Sequence, residues 1–147
     1  MTQHLLVTGA TSGIGHAIAL AAASAKMAIS FSGLESQCDE IVSEFQSAGA
    51  PYVAYYNADL SDGDIARDIV TRAHADYGSL DILVNNAGIQ HVDRIEDFPT
   101  QAWDKVIAVN LSSSFHTMAA ALPLMRDAGY GRIINIASVH GLVASVN

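Results

Sequence analysis

The sequence predicts an α/β fold in which helices cover both faces of a doubly wound parallel sheet. Short apolar runs alternate with longer helical patterns along the chain, which is typical of βαβ units. The first apolar run leads into a glycine-rich turn, and half of the 147 residues are hydrophobic, enough to form the core of one domain. We therefore expect a single domain over residues 1–147 that ends after its fifth strand.

Three strand–helix pairs are expected in the first half of the chain. The strands are predicted at 4–8, 28–32 and 51–57, and the helices at 13–25, 36–48 and 61–77. Ile41, Val42 and Phe45 share one face of the second helix, and Gly49 is well placed to end it. Ser61 to Asp64 resembles a capping box with Asp in place of Glu, which predicts the start of the third helix, and Tyr77-Gly78 ends it.

The second half contains two more apolar runs, at 80–85 and 132–136, which read as strands. Between them, after a loop ending at Pro99, a helical pattern runs from Trp103 to Met125. Gly129 and Gly131 stop this region before the last strand. In such a sheet, ligands bind beyond the carboxyl ends of the strands, where the strand order switches.

Charge and composition exclude several classes of function. Seven Lys and Arg residues against 15 Asp and Glu give a net charge of −8, which disfavours nucleic acid as a partner. Cys38 is the only cysteine, so no disulfide can close within the chain, and the histidines lack paired ligand spacing, so we expect no metal. The lone cysteine fits a reducing, cytoplasmic setting, and we expect no targeting segment and no membrane span.

The glycine-rich turn spans Thr8 to Gly15 and joins the first strand to the first helix. Glycines there permit a tight turn and let backbone N–H groups at the helix N-terminus meet a pyrophosphate, as in Rossmann-like folds. An ordinary turn is the alternative. No Gly-Lys-Ser/Thr follows, so a P-loop that binds the phosphates of a nucleoside triphosphate is disfavoured, and the pattern predicts a dinucleotide.

Together with Asn85-Asn86-Ala87-Gly88 after the fourth strand, this turn resembles the short-chain dehydrogenase/reductase family. The resemblance implies an oxidoreductase that uses a nicotinamide dinucleotide. It also implies that Asp59 and Leu60 line the adenine side of that cofactor. The cofactor-binding residues implied are Gly9, Thr11, Ser12, Gly13, Ile14, Gly15, Asp59, Leu60, Asn86, Ala87 and Gly88.

Two further residues match catalytic positions of the family. Asn110 lies in a helical run, where an asparagine by itself reads as a packing residue, but it falls on the asparagine that supports the family's proton relay. Ser138 follows the fifth strand and by spacing is equally well a strand-ending serine, but the resemblance implies that it polarises the substrate carbonyl.

A closer resemblance is to the branch of this family that oxidises short 3-hydroxy acids such as D-3-hydroxybutyrate to acetoacetate. The segments 85–92, 95–99, 115–117 and 131–145 carry it. It implies that Gln90 and His140 hold the substrate carboxylate, a role that suits an amide donor and an imidazole N–H. Solvent-exposed loop polarity is the alternative for both residues.

The residues after the second strand predict the choice of coenzyme. Phe31-Ser32-Gly33-Leu34-Glu35 contains no Arg or Lys that could receive a 2′-phosphate, and Glu35 would repel one, so NAD is favoured over NADP. The Asp that usually ends this strand in NAD enzymes is absent. Lys26 is a second departure, because the family commonly has Gly there.

The resemblance also implies what completes the active site. The family's proton donor is a Tyr followed four residues later by a Lys, after the serine, and no tyrosine of this chain has Lys four residues on. We therefore expect a truncated chain, without turnover by itself, lacking the later strands and the helix that pairs subunits in the family's homotetramer. Its fifth strand and the helix before it would then expose apolar surface.

Two alternatives to a 3-hydroxy acid dehydrogenase remain. A 3-oxoacyl thioester reductase shares the cofactor motifs but has less use for Gln90 and His140 as carboxylate holders. A non-catalytic module that binds NAD would explain the absence of the Tyr and Lys pair.

Overall fold

The computed structural model describes residues 2–139 and 143, and within them one parallel sheet of five strands forms the centre of the molecule. The strands are β1 (His4–Val7), β2 (Ala28–Gly33), β3 (Val53–Asn57), β4 (Ile82–Asn85) and β5 (Arg132–Asn135). Their order across the sheet is β3-β2-β1-β4-β5, and every neighbouring pair is parallel. The order reverses between β1 and β4, so the predicted doubly wound sheet is confirmed, with its switch point beside the glycine-rich turn.

Helices pack on both faces of the sheet. They are α1 (Gly13–Ser24), α2 (Asp39–Ala48), α3 (Gly63–Tyr77), α4 (Thr100–Ile107) and α5 (Ser113–Asp127), with a π-helical segment (Ala108–Ser112) between the last two. The helices α1 and α2 contact each other on one face, and α3 and α5 contact each other on the opposite face.

Each face of the sheet has its own hydrophobic core. Alternation along β1 divides its side chains: Leu5 and Val7 pack against α1 and α2, whereas Leu6 packs against α3 and α5. Phe31 and Phe45 meet edge to face in the first core, with their ring centroids 5.2 Å apart. Because both faces are buried, the central strands read as continuous apolar runs, as expected of a parallel sheet.

Two helix starts differ from the sequence prediction. The second helix begins at Asp39 rather than at residue 36, because hydrogen bonds from β3 hold the backbone of residues 34–35 outside a helix. The third helix is capped by Asp62 rather than Ser61: the Asp62 carboxylate accepts from the N–H groups of Asp64 and Ile65. The predicted ends at Gly49 and Gly78 are confirmed, with φ of +122° and +90°.

Apolar side chains lie exposed along the π segment, α5 and β5. The exposed fractions are 65% for Leu111, 59% for Phe115, 49% for Leu122 and 48% for Ile134. The sequence predicted exposure on this part of the molecule, and the structure confirms it. None of the helices formed by the described residues has the length and hydropathy needed to cross a membrane.

Candidate cofactor site

A cleft of about 440 Å³ opens at the carboxyl ends of the strands, beside the switch point. We call it the edge cleft. It is lined by Gly9, Thr11, Ser12, Ile14, Ser32, Gly33, Leu34, Glu35, Ala58, Asp59, Leu60, Asn86, Ala87, Gly88, Ile89, Lys105 and Val109. All the cofactor-binding residues proposed from the sequence are among them except Gly13 and Gly15, which lie in the adjoining turn and first helical residues. Four loops thus converge on one concave surface, which is the usual form of a ligand site.

The glycines of the turn are required by its geometry. Gly9 has φ of +63°, and a Cβ there would lie 2.9 Å from the Cα of Ala87. Gly13 also has a positive φ, of +61°. A Cβ on Gly15 would lie 2.5 Å from the carbonyl oxygen of Gly9. The turn therefore packs backbone against backbone, which no larger residue permits.

The N-terminus of α1 opens at the edge cleft. Its N-cap residue, Ser12, has extended backbone and its side chain makes no capping hydrogen bond. The first turn of α1 carries no acidic residue. Backbone N–H groups and the positive end of the helix dipole are therefore presented where an anionic group would be stabilised.

Thr8 links the glycine-rich turn to the segment after β4. Its buried hydroxyl oxygen accepts from the backbone N–H groups of Asn86 and Ala87, both at 3.0 Å. In return the Asn86 side-chain amide donates to the carbonyl oxygens of Thr8 and Gly9, at 3.0 and 2.9 Å. This role of Thr8 was not predicted from the sequence, although Thr8 is the first residue of the motif.

Asp59 brings a carboxylate to the edge cleft from the end of β3. It accepts hydrogen bonds from the hydroxyl and the backbone N–H of Ser61, at 2.7 and 3.0 Å. These bonds, together with the nearby charge of Lys105, hold the pKa of Asp59 below its usual value. An ionised carboxylate in the lining of the cleft can accept a hydrogen bond from an exocyclic amino group of a bound base.

The segment after β2 forms the opposite wall. The Glu35 carboxylate accepts a hydrogen bond from the Thr11 hydroxyl at 3.0 Å and so bridges this segment to the glycine-rich turn. The charge of Glu35 is visible in the sequence, but this contact is not, because the bond joins residues 24 positions apart.

Asn110 lies in the π-helical segment, beside the edge cleft rather than lining it. Its side-chain oxygen accepts from the N–H of Ile89 at 2.8 Å, and its amide donates to the carbonyl oxygen of Ile89 at 2.9 Å. The π segment is an interruption of the regular helix of the kind often found at functional sites. Asn110 therefore fixes the backbone of the loop after β4 at the residue that precedes Gln90.

Two of the three residues proposed to contact the substrate follow the carboxyl ends of neighbouring strands. Gln90 is exposed in the loop after β4, and Ser138 is exposed three residues beyond the end of β5. His140 lies outside the described residues. Gln90 therefore follows the carboxyl end of β4, and Ser138 follows that of β5, the neighbouring strand.

A partly buried polar network joins β4 and β5 at this edge. The Asn85 amide donates to the Asn135 side-chain oxygen at 2.8 Å, and the Thr117 hydroxyl donates to the Asn85 side-chain oxygen at 2.7 Å. The network ties both strand ends to α5 and so positions the residues that follow them. Neither Thr117 nor Asn135 was predicted from the sequence as a site residue, because their bonds to Asn85 join residues 32 and 50 positions apart. Within residues 2–139 and 143, no group of three or more His, Cys, Asp or Glu residues could hold a metal ion.

Comparison with protein families decides the assignment. The family model described as short chain dehydrogenase matches residues 3–147. The chain belongs to the short-chain dehydrogenase family. Its similarity extends to the D-beta-hydroxybutyrate dehydrogenases of Rhizobium meliloti, 47% identical over 99% of this chain and 57% of that protein, and of Cupriavidus necator, 51% identical over 95% of this chain and 54% of that protein. A 3-oxoacyl-[acyl-carrier-protein] reductase of Staphylococcus aureus is 36% identical over 99% of this chain and 59% of that protein.

Solved structures of short-chain dehydrogenases share the fold. A putative short-chain alcohol dehydrogenase from Sinorhizobium meliloti matches with a TM-score of 0.93 at 31% identity, over 99% of this chain and 58% of that one. An NAD⁺-bound xylitol dehydrogenase matches with a TM-score of 0.91 at 29% identity, over 99% of this chain and 56% of that one. The chain thus spans a little over half the length of the relatives it matches.

Proposed function

We propose that residues 1–147 form the NAD-binding domain of an oxidoreductase that transfers a hydride between NAD and a short 3-hydroxy acid, D-3-hydroxybutyrate in one direction and acetoacetate in the other. The observation that carries the proposal is the edge cleft, where the glycine-rich turn, the β3 end and the segment after β4 converge at the sheet's switch point. Bound NAD would supply the hydride acceptor.

The residues of the edge cleft fit a dinucleotide. Gly9 lines the cleft without a side chain, and the uncapped N-terminus of α1 suits a pyrophosphate. Asp59 and Leu60 suit the adenine side, with the ionised Asp59 carboxylate as a hydrogen-bond acceptor. Asn86, Ala87 and Gly88 suit the ribose side. Support for NAD rather than NADP comes from Glu35, whose negative charge would repel a 2′-phosphate.

Ser138 is our candidate for polarising the substrate carbonyl, because its short hydroxyl follows β5 at the carboxyl edge of the sheet. Asn110 is our candidate for supporting the proton relay. Its side chain already makes two hydrogen bonds to Ile89, so its backbone is held in place within the π segment. Gln90 and His140 are our candidates for holding the substrate carboxylate. We further propose that proton transfer needs a Tyr and Lys pair beyond those of this chain, so that residues 1–147 alone bind NAD without turnover.

The substrate proposal rests on similarity. The two D-beta-hydroxybutyrate dehydrogenases are 47% and 51% identical to this chain, against 36% for the 3-oxoacyl reductase, which makes the thioester a weaker alternative. We propose that the whole protein is a cytoplasmic homotetramer, as the family resemblance implies. A non-catalytic NAD-binding module is the remaining alternative.

The test uses the protein at its full natural length. NADH oxidation is followed with acetoacetate and, separately, with an acetoacetyl thioester. We expect turnover of the free acid and a much lower kcat/KM for the thioester, because Gln90 and His140 recognise a carboxylate. Preference for the thioester would establish the reductase instead, and NAD binding without turnover of either substrate would establish the non-catalytic module.

A variant pair tests the carboxylate holder. Replacing Gln90 by Glu keeps the length of the side chain but exchanges its amide donor for a negative charge. We expect a raised KM for acetoacetate and unchanged affinity for NAD, since Gln90 does not line the edge cleft. The matched control is Gln101→Glu, at an exposed position of α4, which should change neither.

A further inference from the structure

We propose that Thr117 of α5 is a positioning residue for Ser138. It fixes the side-chain amide of Asn85, and Asn85 holds the end of β5 through Asn135. The inference deepens the proposed function and rests on it, because it takes Ser138 as the group that polarises the substrate carbonyl. Thr117 does not line the edge cleft, so its effect is expected on turnover rather than on dinucleotide binding.

The hydroxyl of Thr117 is fully buried and has two acceptors within reach. The side-chain oxygen of Asn85 lies 2.7 Å away, and the carbonyl oxygen of Ser114, on the same helix, lies 3.0 Å away. A helical threonine can be satisfied by a carbonyl of its own helix, so Thr117 does not need Asn85 in order to be buried. Asn85 is only 5% exposed, and its oxygen accepts this hydroxyl where water has little access. The bond therefore serves the strand end more than the helix.

The Asn85 amide passes this contact on to β5. An amide carries its acceptor on one side and its donors on the other. With its oxygen bound to Thr117, its nitrogen donates to the side-chain oxygen of Asn135 at 2.8 Å. Without the hydroxyl, nothing at the α5 end of the amide selects this orientation. The contact with Asn135 is then weakened, although neither of its two residues has been changed.

The contact with Asn135 lies where the chain leaves the sheet toward Ser138. Asn135 is the last residue of β5 and the register partner of Asn85, and Ser138 follows three residues later. The N–H of Ile136 also donates to the carbonyl oxygen of Asn85, at 2.9 Å. Both the backbone and the side chain of Asn85 thus hold this strand end. A reacting group must be placed accurately, because a displacement of about 1 Å can cost about a hundredfold in rate.

A second contact from the same helical region acts on a different part of the site. Asn110 of the π segment makes two hydrogen bonds to the backbone of Ile89. Asn85 and Ile89 therefore bracket the stretch 86–88, which lines the edge cleft. The alternative role for Thr117 is to hold this cofactor-binding stretch, and that role would appear as weaker dinucleotide binding.

Steady-state kinetics of acetoacetate reduction by the protein at its full natural length test the proposal. Thr117→Val keeps the shape of the side chain without its hydroxyl. It should lower kcat about tenfold and leave the KM for acetoacetate and the dissociation constant of NADH unchanged. Thr117→Ser restores the hydroxyl and should recover most of kcat. The matched control is Thr71→Val, which removes an exposed hydroxyl bonded to the Arg67 carbonyl of its own helix and should change none of these constants.

A second variant breaks the same network at an exposed residue. Asn135→Ala removes the acceptor of the Asn85 amide at little cost in stability, because Asn135 is exposed. It should lower kcat in the same way as Thr117→Val. The double variant should be no slower than the slower single variant, because both changes break one network. Thermal melting should show that the variants are folded at the assay temperature.

Three results would overturn the role of Thr117 and leave the proposed function intact. These are an unchanged kcat in folded Thr117→Val, equal losses of kcat in Thr117→Val and Thr117→Ser, and weaker NADH binding that accounts for the loss. An unchanged kcat in Asn135→Ala would also overturn it, whether or not Thr117→Val folds. Wild type that reduces only the acetoacetyl thioester would contradict the proposed substrate, and the same kcat ratios would then decide the role of Thr117. Reduction of neither substrate by folded wild type would overturn both.

Discussion

Thr8 carries much of the connection between the glycine-rich turn and the segment after β4. One hydroxyl oxygen satisfies two backbone N–H groups, those of Asn86 and Ala87, in a place closed to water. Leaving a buried donor without a partner costs more than the bond itself contributes when it is made. Thr8 is therefore a structural requirement of the site, although it does not line the edge cleft.

Thr8→Val should lower the free energy of unfolding by about 1–3 kcal/mol, because valine keeps the shape of threonine but offers no acceptor. Urea denaturation measures the difference. Thr8→Ser is the control, since it retains the hydroxyl, and it should lose less stability than Thr8→Val. Equal losses in the two variants would show that the methyl group, rather than the hydroxyl, is what the site needs.

His4 is a fully buried histidine at the start of β1. Its ring contacts the backbone carbonyl of Ser79 and the hydroxyl of Ser30 and packs against Tyr52 and Tyr77. Burial lowers the pKa of His4 below its usual value of 6.5, although the Ser79 carbonyl and nearby Asp81 partly oppose this effect. The folded protein thus keeps His4 neutral at a pH where the unfolded chain takes up a proton.

The sign of the pH effect follows from this difference. Above pH 6.5 His4 is neutral in both states and contributes no pH dependence, but below pH 6.5 the unfolded state gains a proton first and stability falls. Melting temperatures at pH 7.5, 6.5 and 5.5 should therefore decline toward acid, and His4→Gln should flatten the decline. His91→Gln, at an exposed loop histidine, should retain it. An equal decline of melting temperature toward acid in wild type and His4→Gln would show that His4 does not cause it.

At the scale of elements, the turn from α1 to β2 contains a strained residue. Lys26 has φ of +62°, in the left-handed region that favours glycine, while its N–H donates to the carbonyl oxygen of Ala23 at 2.8 Å. The next residue, Met27, donates to the carbonyl oxygen of Ala22 at 3.1 Å. This pattern ends a helix with a left-handed residue, a position where glycine is usual.

Lys26→Gly should raise the free energy of unfolding by about 0.5–1 kcal/mol. Glycine relieves the strain of a side chain in the left-handed region, and its greater loss of backbone entropy on folding offsets part of that gain. Lys26→Ala is the control, because it removes the same charge but keeps the Cβ, and it should bring no such gain. Chemical denaturation of the three proteins gives the comparison. A gain in Lys26→Ala as large as in Lys26→Gly would assign the effect to the charge instead.

The sequence predicted those elements whose signals are local. The alternation of apolar runs and helical patterns located all five strands and the sheet type, and glycines located the ends of α2 and α3. The predicted start of α2 was wrong, because Tyr55 and Asn57, about twenty residues away, donate hydrogen bonds to the backbone of Glu35 and hold it outside the helix. The π segment has the same apolar pattern as a regular helix, so helical periodicity cannot detect it.

The same limit applies to the candidate site. The glycine-rich turn and the tetrad after β4 are contiguous motifs, and the structure brings both to the edge cleft. Contacts between distant parts of the chain, such as those of Thr8 with Asn86 and of Thr11 with Glu35, depend on the folded arrangement. The roles of Ser138, Asn110, Gln90 and His140 stay predictions.

At the scale of the whole molecule, the two faces of the sheet are well buried, whereas apolar side chains at its β5 edge are exposed. Buried clusters cover both faces of β1, whereas Ile134 of β5 and Leu122 of α5 are about half exposed. The chain matches a little over half the length of its relatives, and exposed apolar surface of this kind marks places where further protein can pack. The edge cleft lies at the switch point, away from this edge, and is built from elements that pack within the described residues.

The most direct test of the central claim is an NMR titration of the ¹⁵N-labelled chain with NAD. We expect a saturable one-to-one transition whose largest shifts fall on the backbone amides of Gly9, Gly13 and Gly15 at the N-terminus of α1 and on Ala87 and Gly88 across the cleft. Shifts scattered over the surface, or no shifts in a folded protein at millimolar NAD, would contradict the assignment of the edge cleft as a dinucleotide site.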